Sequence, residues 1–444
     1  MNIVILGMGT VGQSIAEVLT GKNHSVTIVD RAPDICHDVA ERLDVHAKEG
    51  EATNSSLMFQ IGIASADLCI AVTDEDTTNL IACSMAKAMG AKRTICRILS
   101  EEYQEVSTFD HQRHFKIDRL LSIENLTALE LATVIRNPES VAVENFARGM
   151  IEMQEIEVEA DTKAVGVALR DMHFPPGVRV GSITHKKSSV VAGPDDEVEV
   201  GDRVTLIGTH EDVDQVKRLF EHINTARQSI VIGGGGRIGY HLARILEGPR
   251  NHITIFERDS ARCAILAEQL PHTTVLHGDA TQLRLLEEER IGQADVYVAA
   301  MGDDEDNIIS AVEASELGTR KTMSVIQRTD YARVVKKLGI DRTVSPREVA
   351  AKQVLSFLTY GPVLSRTSFS GIEVIEVEVQ KDSPATKYPL QELPLPEQCL
   401  IAGIMRDDYV RVANADDAFE TGDVVVALVQ ADNLDEATVL FSTQ

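Results

Sequence analysis

A short apolar strand that runs straight into a glycine-rich turn occurs twice in this chain, and no other feature restricts its possible folds as much. The first copy reads NIVILGMGTVGQSIAEVL from Asn2, with Asp30 closing the next apolar run, SVTIVD. The second reads SIVIGGGGRIGYHLARIL from Ser229, followed by HITIFE ending at Glu257. Gly7, Gly9, Gly12 and Asp30 recur at a single constant offset as Gly234, Gly236, Gly239 and Glu257. The helix behind each turn keeps its apolar face in register, Val11, Ile15 and Leu19 against Ile238, Leu242 and Leu246.

Each glycine has a separate task. The first makes the strand-to-helix turn, the second lets a pyrophosphate reach bare backbone, and the third lets helix and strand pack closely. Free N–H groups at the helix N-terminus then face the phosphates, helped by the helix dipole. The acid that closes the second strand of each copy, Asp30 or Glu257, can accept hydrogen bonds from ribose hydroxyls, and it disfavours a 2′-phosphate. NAD-type or adenine nucleotides are therefore expected rather than NADP. A lone GxGxxG is a weak signal. Here each copy follows a strand, opens a helix and is followed by an acid at the same distance.

Strand and helix patterns alternate after each turn. DICHDVAERL (34–43) reads as a helix, and a third strand ends near Gly50. ADLCIAVT (66–73) is too apolar for a one-sided sheet and reads as a strand buried on both faces. A helix from Asp74–Asp76 to Met89 follows, then a strand in KRTICRIL (92–99), and a last strand near Ile117–Ser122. The second copy repeats this order, with GEATN (50–54) as GDATQ (278–282), Asn79 as Asn307 and Gly90 as Gly318. Strands alternating with helices predict a parallel doubly wound sheet. A repeat this long is a duplicated domain and not a solenoid unit.

One amphipathic helix closes each half, ENLTALELATVIR (124–136) and REVAAKQVLSFL (347–358), ended by Asn137–Pro138 and Gly361–Pro362. Each reads either as a crossover helix packed on another domain or as the last helix of its own sheet. A smaller strand-rich module follows, with IEMQEIEVEA echoed by GIEVIEVEVQ and Gly201–Asp202 by Gly422–Asp423. Its strand–turn–strand rhythm, with one helical segment near its start, predicts a small α+β domain. The fold class is thus α/β, two Rossmann-like doubly wound domains each followed by a small α+β domain. The expected boundaries are 1–139, 140–226, 227–365 and 366–444.

A chain of 444 residues with net charge −26 has no basic stripe to neutralise phosphodiesters, so no nucleic acid is expected as a partner. The same charge disfavours adsorption to an anionic membrane but permits docking on Lys/Arg-rich cytoplasmic loops. No apolar run approaches the length that a membrane-spanning helix needs, and the first one breaks at Gly7 without a charged leader. Six cysteines show no CxxC pairing or metal spacing. A cytosolic, reduced protein is expected, with no direct membrane insertion.

The tandem order of two Rossmann halves, each with its own C-terminal module, the repeated GD-V turn and the TDEDTTN stretch (73–79) resemble one family over essentially the full length. These are the TrkA-type peripheral subunits of Trk potassium uptake, and more broadly the RCK domains. The resemblance implies a cytoplasmic regulatory subunit on the inner face of the inner membrane. It would be a homo-oligomer, dimer or tetramer ring, beneath a membrane-embedded Trk-type potassium transporter. NAD/NADH and ATP/ADP bound in the Rossmann halves would shift its conformation and gate the partner.

The first site implied by the resemblance is Gly7, Met8, Gly9, Thr10 and Val11 at the phosphates, Asp30 at the ribose and Arg31 beside the adenosine. Thr73 and Asp74 stand at the strand end where an open α/β sheet places its ligand, and Arg97 would neutralise a terminal phosphate. The second site is Gly234, Gly235, Gly236, Arg237 and Ile238, with Glu257, Arg258, Met301 and Gly302. There Thr73–Asp74 become Met301–Gly302, and the position of Arg97 is Val325, so a triphosphate is expected to be less well served than a dinucleotide.

Two other classes compete. A soluble NAD-dependent oxidoreductase would need a positioned acid or base, and His111 and His114 in FDHQRHF, expected to be solvated, are the nearest candidates. A scaffold with vestigial sites would bind nothing. The run GDDEDN (302–307) lacks the ligand spacing and terminal Glu of an EF-hand and reads as an acid-rich helix start, so no metal site is expected. No GxxxxGK[ST] occurs, which disfavours ATP hydrolysis of the P-loop type.

Overall fold

The alternation read from the sequence folds as two parallel sheets of one order. The structure is a computed structural model. It describes residues 1–21, 24–103, 108–136, 142–146, 150–186, 188–222, 227–249, 251–359, 363–369, 372–406 and 409–442. The expected helix stops at 137–138 and 361–362 and the junctions at 139/140 and 226 lie outside the described residues.

The first half runs β1 (Asn2–Leu6), α1 (Thr10–Thr20), β2 (Ser25–Asp30), α2 (Pro33–Arg42), β3 (His46–Glu49), α3 (Ser55–Gln60), β4 (Leu68–Ala71), α4 (Asp76–Met89), β5 (Thr94–Arg97), α5 (His111–His114), β6 (Arg119–Leu121) and α6 (Ile123–Arg136). Its strands pair in parallel in the order β3-β2-β1-β4-β5-β6. The order reverses between β1 and β4, which places a ligand crevice at their carboxyl ends. All four residues of β4 are buried, as its unbroken apolar run predicts for a strand covered by helices on both faces.

A first small module follows: β7 (Ala142–Phe146), β8 (Ile151–Glu157), β9 (Val178–His185), β10 (Ser188–Val191), β11 (Arg203–Gly208) and α7 (His210–Lys217). Its antiparallel sheet is ordered β10-β9-β11-β8-β7.

The second half repeats the first with β12 (Gln228–Gly233), α8 (Arg237–Leu246), β13 (Asn251–Glu257), α9 (Ser260–Gln269), β14 (Thr273–His277), α10 (Leu283–Glu288), β15 (Val296–Ala299), α11 (Asp304–Glu316), β16 (Thr322–Val325), α12 (Ala332–Val335), β17 (Arg342–Val344) and α13 (Pro346–Thr359). Its sheet order is β14-β13-β12-β15-β16-β17. The second module holds β18 (Val363–Phe369), β19 (Ile372–Glu378), β20 (Cys399–Arg406), β21 (Tyr409–Val412), β22 (Val424–Gln430) and α14 (Leu434–Val439). Its sheet order, β18-β19-β22-β20-β21, matches the first module read from the other edge. Strand β18 begins at Val363 and pairs with β19, so it straddles the expected 365/366 junction.

Two compact units result, Met1–Ala132 with Ala226–Leu355 and Thr133–Thr225 with Ser356–Gln444. Like therefore joins like, Rossmann half with Rossmann half and small module with small module. In the second unit one apolar cluster draws on both modules, with Phe146, Ile151 and Ile207 beside Val374, Met405, Val426 and Leu428. The other face of β8 packs on its own module's core through Ile156, so both faces are covered, a departure from the sequence pattern. The alternation in β8 suggests one wet face, yet Glu152, Gln154 and Glu155 are all buried. Glu152 keeps its charge there because His210 bonds it at 2.7 Å. Against the desolvation that opposes it, that contact holds its carboxyl below the usual range.

The helix of each module is also placed differently from the expectation. Among the described residues the early part of the first module holds a 3-10 turn, Leu169–Asp171, and no helix longer than that, while α7 closes the module. The reason is local: Thr209 accepts from the Asp212 N–H as an N-cap, whereas the early segment carries Gly166 and Pro175–Pro176, which break a helix. The GD turns are structural, with Asp202 bonding His185 at 2.6 Å and Asp423 bonding Arg406 through both oxygens.

Candidate functional site: two glycine cradles

At the carboxyl end of β1 the chain turns at Gly7, whose φ of +100° favours glycine. A side chain on Gly12 would bring its Cβ to 2.0 Å from the Gly7 carbonyl oxygen, and Gly239 stands identically to Gly234. Third glycines are thus required by packing. The second glycine differs, because a Cβ on Gly9 or on Gly236 would meet nothing within 4 Å. Both are N-caps with no side-chain capping bond, and neither α1 nor α8 has an acid in its first turn. Each helix therefore presents uncapped N–H groups and its positive dipole end over bare backbone, which suits a phosphate.

The acids that close β2 and β13 are anchored on the glycine loops. Asp30 accepts from the Met8 N–H at 2.6 Å and the Ala32 N–H at 2.9 Å. Glu257 accepts from Gly235 at 3.1 Å and Asp259 at 2.8 Å. Each carboxylate is fixed at the carboxyl end of its strand with further lone pairs available to a diol.

Side chains around the first loop divide in two. Met8 and Val11 are buried and offer only backbone, while Thr10 and Arg31 are exposed. In the second copy Gly235 replaces Met8, and a Cβ there would come 2.3 Å from Leu266 Cδ1. The residue matching Leu266 is the smaller Val39, so the two loops fill the same space from opposite sides. Arg262 adds a bond to the Gly235 carbonyl at 2.9 Å and lies over the Tyr240 ring.

The far lip of each cleft is held by an asparagine. Asn79 Oδ1 accepts from the Thr73 N–H and hydroxyl, and its amide donates to the Thr73 and Arg97 carbonyls. Asn307 repeats this with the Met301 N–H and the Met301 and Val325 carbonyls. One turn earlier in each helix, Asp76 accepts from Leu99 and Ser100, and Asp304 from Gln327 and Arg328. The sequence marks these four residues only as repeated positions; their role in joining neighbouring strand ends shows in the hydrogen bonds.

The lips differ in charge. Asp74 reaches Arg31 at 4.0 Å across the first cleft, both side chains being exposed. Exposed Gly302 takes the place of Asp74 in the second. Arg97, expected at a terminal phosphate, is half-buried and pairs with Glu124 at 2.7 Å. In the second half Val325 is buried, and Arg347 on α13 occupies the position of Glu124. A guanidinium therefore remains at that edge of the sheet, from another element. The second cleft measures about 250 Å³ and is lined by Gly234, Gly236, Glu257, Arg258, Met301 and Gly302 together with Asp279, Asp303 and Asp306. Thr281 bonds Asp279 through N–H and hydroxyl and holds its carboxyl below the usual range. Arg237 and Arg258 are exposed and Ile238 is half-buried.

His111, expected to be solvated, is half-buried against Tyr103 and Phe109, and its Nδ1 is buried without a partner. The ring packs here because the short helix α5 starts immediately after Phe109–Asp110. The acidic run is a helix start, with Asp303 accepting from Glu305 and Asp306. Among the described residues no group of acids, histidines and cysteines could hold a metal ion, and no helix is long and apolar enough to cross a membrane.

Comparison with known proteins agrees with this architecture. The TrkA-N domain family matches residues 3–110 and 230–346, and the TrkA-C domain family matches 153–221 and 374–442. A relative in Haemophilus influenzae, "Trk system potassium uptake protein TrkA", is 31% identical over 99% of this chain and 98% of its own. An Archaeoglobus fulgidus relative, "Trk system potassium uptake protein TrkA homolog", is 30% identical over 99% and 100%. Among solved structures, the GsuK channel bound to NAD superposes with TM-score 0.62 at 17% identity, covering 99% of this chain and 78% of that one. GsuK bound to ADP gives 0.53 at 15% identity, covering 81% and 69%.

Proposed function

This chain belongs to the TrkA family, and from that premise we propose that it is a regulatory subunit of potassium uptake that senses nucleotides in its two Rossmann-like halves. The observation that carries the reading is the pair of open second glycines, Gly9 and Gly236, each at an uncapped helix N-terminus with an anchored acid opposite. Backbone with no Cβ in the way, a dipole and a ribose acceptor together fit a dinucleotide or adenine nucleotide. The GsuK channel, which shares the fold, has been solved bound to NAD and bound to ADP.

In the first half, Gly7 to Val11 would face the phosphates through backbone N–H groups. Asp30 would accept from the ribose, Arg31 would flank the adenosine, and Thr73 and Asp74 would form the far lip. Arg97 serves a terminal phosphate only if Glu124 releases it. In the second half, Gly234 to Ile238, Glu257, Arg258, Met301 and Gly302 play the matching parts. The ligands are NAD/NADH and ATP/ADP, and the ligand acts by binding two conformations unequally, with no chemical step.

The partner is a membrane-embedded potassium transporter, beneath which copies of the chain assemble on the cytoplasmic face. Its four domains would meet near 139/140 and 226/227 and, for the last pair, ahead of β18 at Val363, not at 365/366. The test is NADH fluorescence on the purified full-length protein, titrated and then competed with ATP and ADP, alongside Gly9→Glu, Gly236→Glu and Asp30→Ala. Saturable binding, lost cleft by cleft in the variants and without NADH oxidation, is the expected result. NADH turnover would instead favour an oxidoreductase, and absence of binding a scaffold.

A further inference from the structure

The two Rossmann halves share one compact unit, and a carboxylate of the first half enters the second at a telling place. Glu101 opens the 3-10 turn after β5 (Glu101–Tyr103). It bonds His241 Nδ1 at 3.0 Å and the Arg244 guanidinium. Both partners lie on α8, the helix whose N-terminus forms the second glycine cradle. His241 is almost fully buried and Glu101 is half-exposed. His241 first, with Arg244 adding to it, holds the Glu101 carboxyl below the usual carboxylate range.

On its own side, Glu101 is tied to the first cleft by consecutive hydrogen bonds. Leu99 and Ser100, immediately before it, donate to Asp76 at 2.8 Å each. Asp76 begins α4, and one turn on Asn79 grips Thr73 at the lip of the first cleft and the Arg97 carbonyl. Direct contacts therefore run from the Thr73 lip through α4 and the β5 exit to the phosphate-facing helix of the other half.

The duplication supplies an internal control. The positions matching Glu101, His241 and Arg244 are Thr329, Ser14 and Glu17, a set without a cation. Among the described residues an ion-paired bridge between these elements is seen in one direction only.

We propose that Glu101 is a positioning residue of the second nucleotide cleft, through which the state of the first cleft is transmitted to α8. The proposal rests on the nucleotide reading only for its biological ligand, because the mechanical link is measurable without one. Structural linkage is directional here, but the binding coupling it creates is reciprocal, as thermodynamics requires.

The experiment has two arms on the full-length protein. In the first, without ligand, hydrogen–deuterium exchange of α8 is followed in wild type, Asn79→Ala, Glu101→Gln and the double variant. Loosening the first lip with Asn79→Ala is expected to speed exchange in the first turns of α8 by about twofold or more. In the Glu101→Gln background the same substitution should leave α8 unchanged. Arg244→Gln, on the exposed side of the bridge, should give a partial loss of the response. An α8 that ignores Asn79→Ala, or responds equally in both backgrounds, overturns the proposal. In the second arm NADH is titrated into wild type, Gly9→Glu, Gly236→Glu and each with Glu101→Gln. Affinity of the second cleft is expected to differ about fivefold or more between intact and first-cleft-blocked protein. With Glu101→Gln the difference should fall within about twofold. NADH binding with coupling unaltered by Glu101→Gln overturns the bridge. An intact α8 response without NADH binding removes the nucleotide reading and leaves the bridge standing.

Discussion

The two Rossmann-like halves share a sheet order, a glycine cradle and an asparagine lip, yet they handle charge at the sheet's carboxyl edge in opposite ways. The first half neutralises internally, with Arg97 on Glu124 and Arg31 reaching Asp74. The second leaves Arg258 and Arg237 exposed and carries Arg347 where the first has Glu124. Backbone geometry is thus the same in the two halves while side-chain charge differs, as it would if both cradles took the phosphates of the proposed nucleotides. This points to one class of ligand in both clefts with different preferences for its terminal groups. Although Val325 stands where the first half has Arg97, an arginine, Arg347, stands on the closing helix of the second half.

The largest effect should come from breaking the internal neutralisation. Arg97 and Glu124 are both mostly buried and pair through Nη2 and Oε1, which leaves Arg97 Nε and Glu124 Oε2 without a hydrogen-bond partner. Arg97→Val strands a buried carboxylate, which costs roughly 3 kcal/mol and should show as a lower urea midpoint. Adding Glu124→Arg copies the second half's arrangement and should restore most of the loss. If the double variant stays as unstable as the single, the two halves are not equivalent solutions of one packing problem.

Next come the cradles themselves. Gly9→Glu puts a carboxylate into open space in front of the helix N-terminus, and Gly236→Glu does so in the second half. Each should weaken NADH binding to its own cleft by about 100-fold, or roughly 2.7 kcal/mol, with little change in melting temperature. The contrast is Gly12→Ala, where the Cβ would strike a carbonyl oxygen at 2.0 Å, so that stability falls before affinity can be read. A Gly9→Glu protein that still titrates two equivalents would break the correspondence between the clefts.

The asparagine lips sharpen the comparison because they should be equal. Asn79 and Asn307 are both buried and make matching hydrogen bonds to the backbone, with Asn79 adding one from the Thr73 hydroxyl. Removing either amide leaves buried backbone groups unpaired, at about 2 kcal/mol. Asn79→Ala and Asn307→Ala should therefore lower stability by similar amounts in chemical denaturation. A gap wider than about 1 kcal/mol would mean that one lip has support the other lacks.

How much of this is legible in the sequence follows from which interactions are periodic. The parallel doubly wound sheet, the buried β4 and the cradle glycines can be read because strand burial and the GxGxxG turn constrain residue type at fixed spacing. Arg97 reads as a phosphate partner because nothing in the spacing shows that Glu124, on the following helix, lies across the sheet edge. The buried acids of β8 are hidden because the strand is covered on both faces: Ile151 and Met153 meet the other module, while Gln154 stands opposite Leu206 and Glu152 bonds His210 on the side of their own module's core. His111 escapes the pattern for a related reason: its neighbour Phe109 is adjacent in sequence, but Tyr103 comes from a separate turn. Glu101 has no signal at all, since its partners His241 and Arg244 belong to the other half of the duplication.

The smallest expected effect tests whether the lip charge matters to ligand choice. The Arg31–Asp74 contact is long, and its side chains are 65% and 80% exposed, so it should contribute little to stability and be screened by salt. On the proposed reading its consequence is for binding, since Asp74 holds Arg31, which would flank the adenosine, and adds a negative charge at the lip that repels the ligand's phosphates. Asp74→Asn should free that guanidinium and strengthen ATP binding at the first cleft by about twofold to threefold at low salt. The gain should disappear near 0.5 M salt, where the Debye length falls to only a few ångströms. The reciprocal variant, Gly302→Asp, places the same acid opposite Arg258 in the second cleft, where a Cβ meets nothing within 4 Å. It should weaken ATP there by a similar factor while leaving NADH nearly unchanged, because NADH brings less negative charge to the lip. Equal responses of ATP and NADH in both variants would show that lip charge sets general attraction and not choice, and the preference between clefts would then have to lie with Arg97 and Arg347.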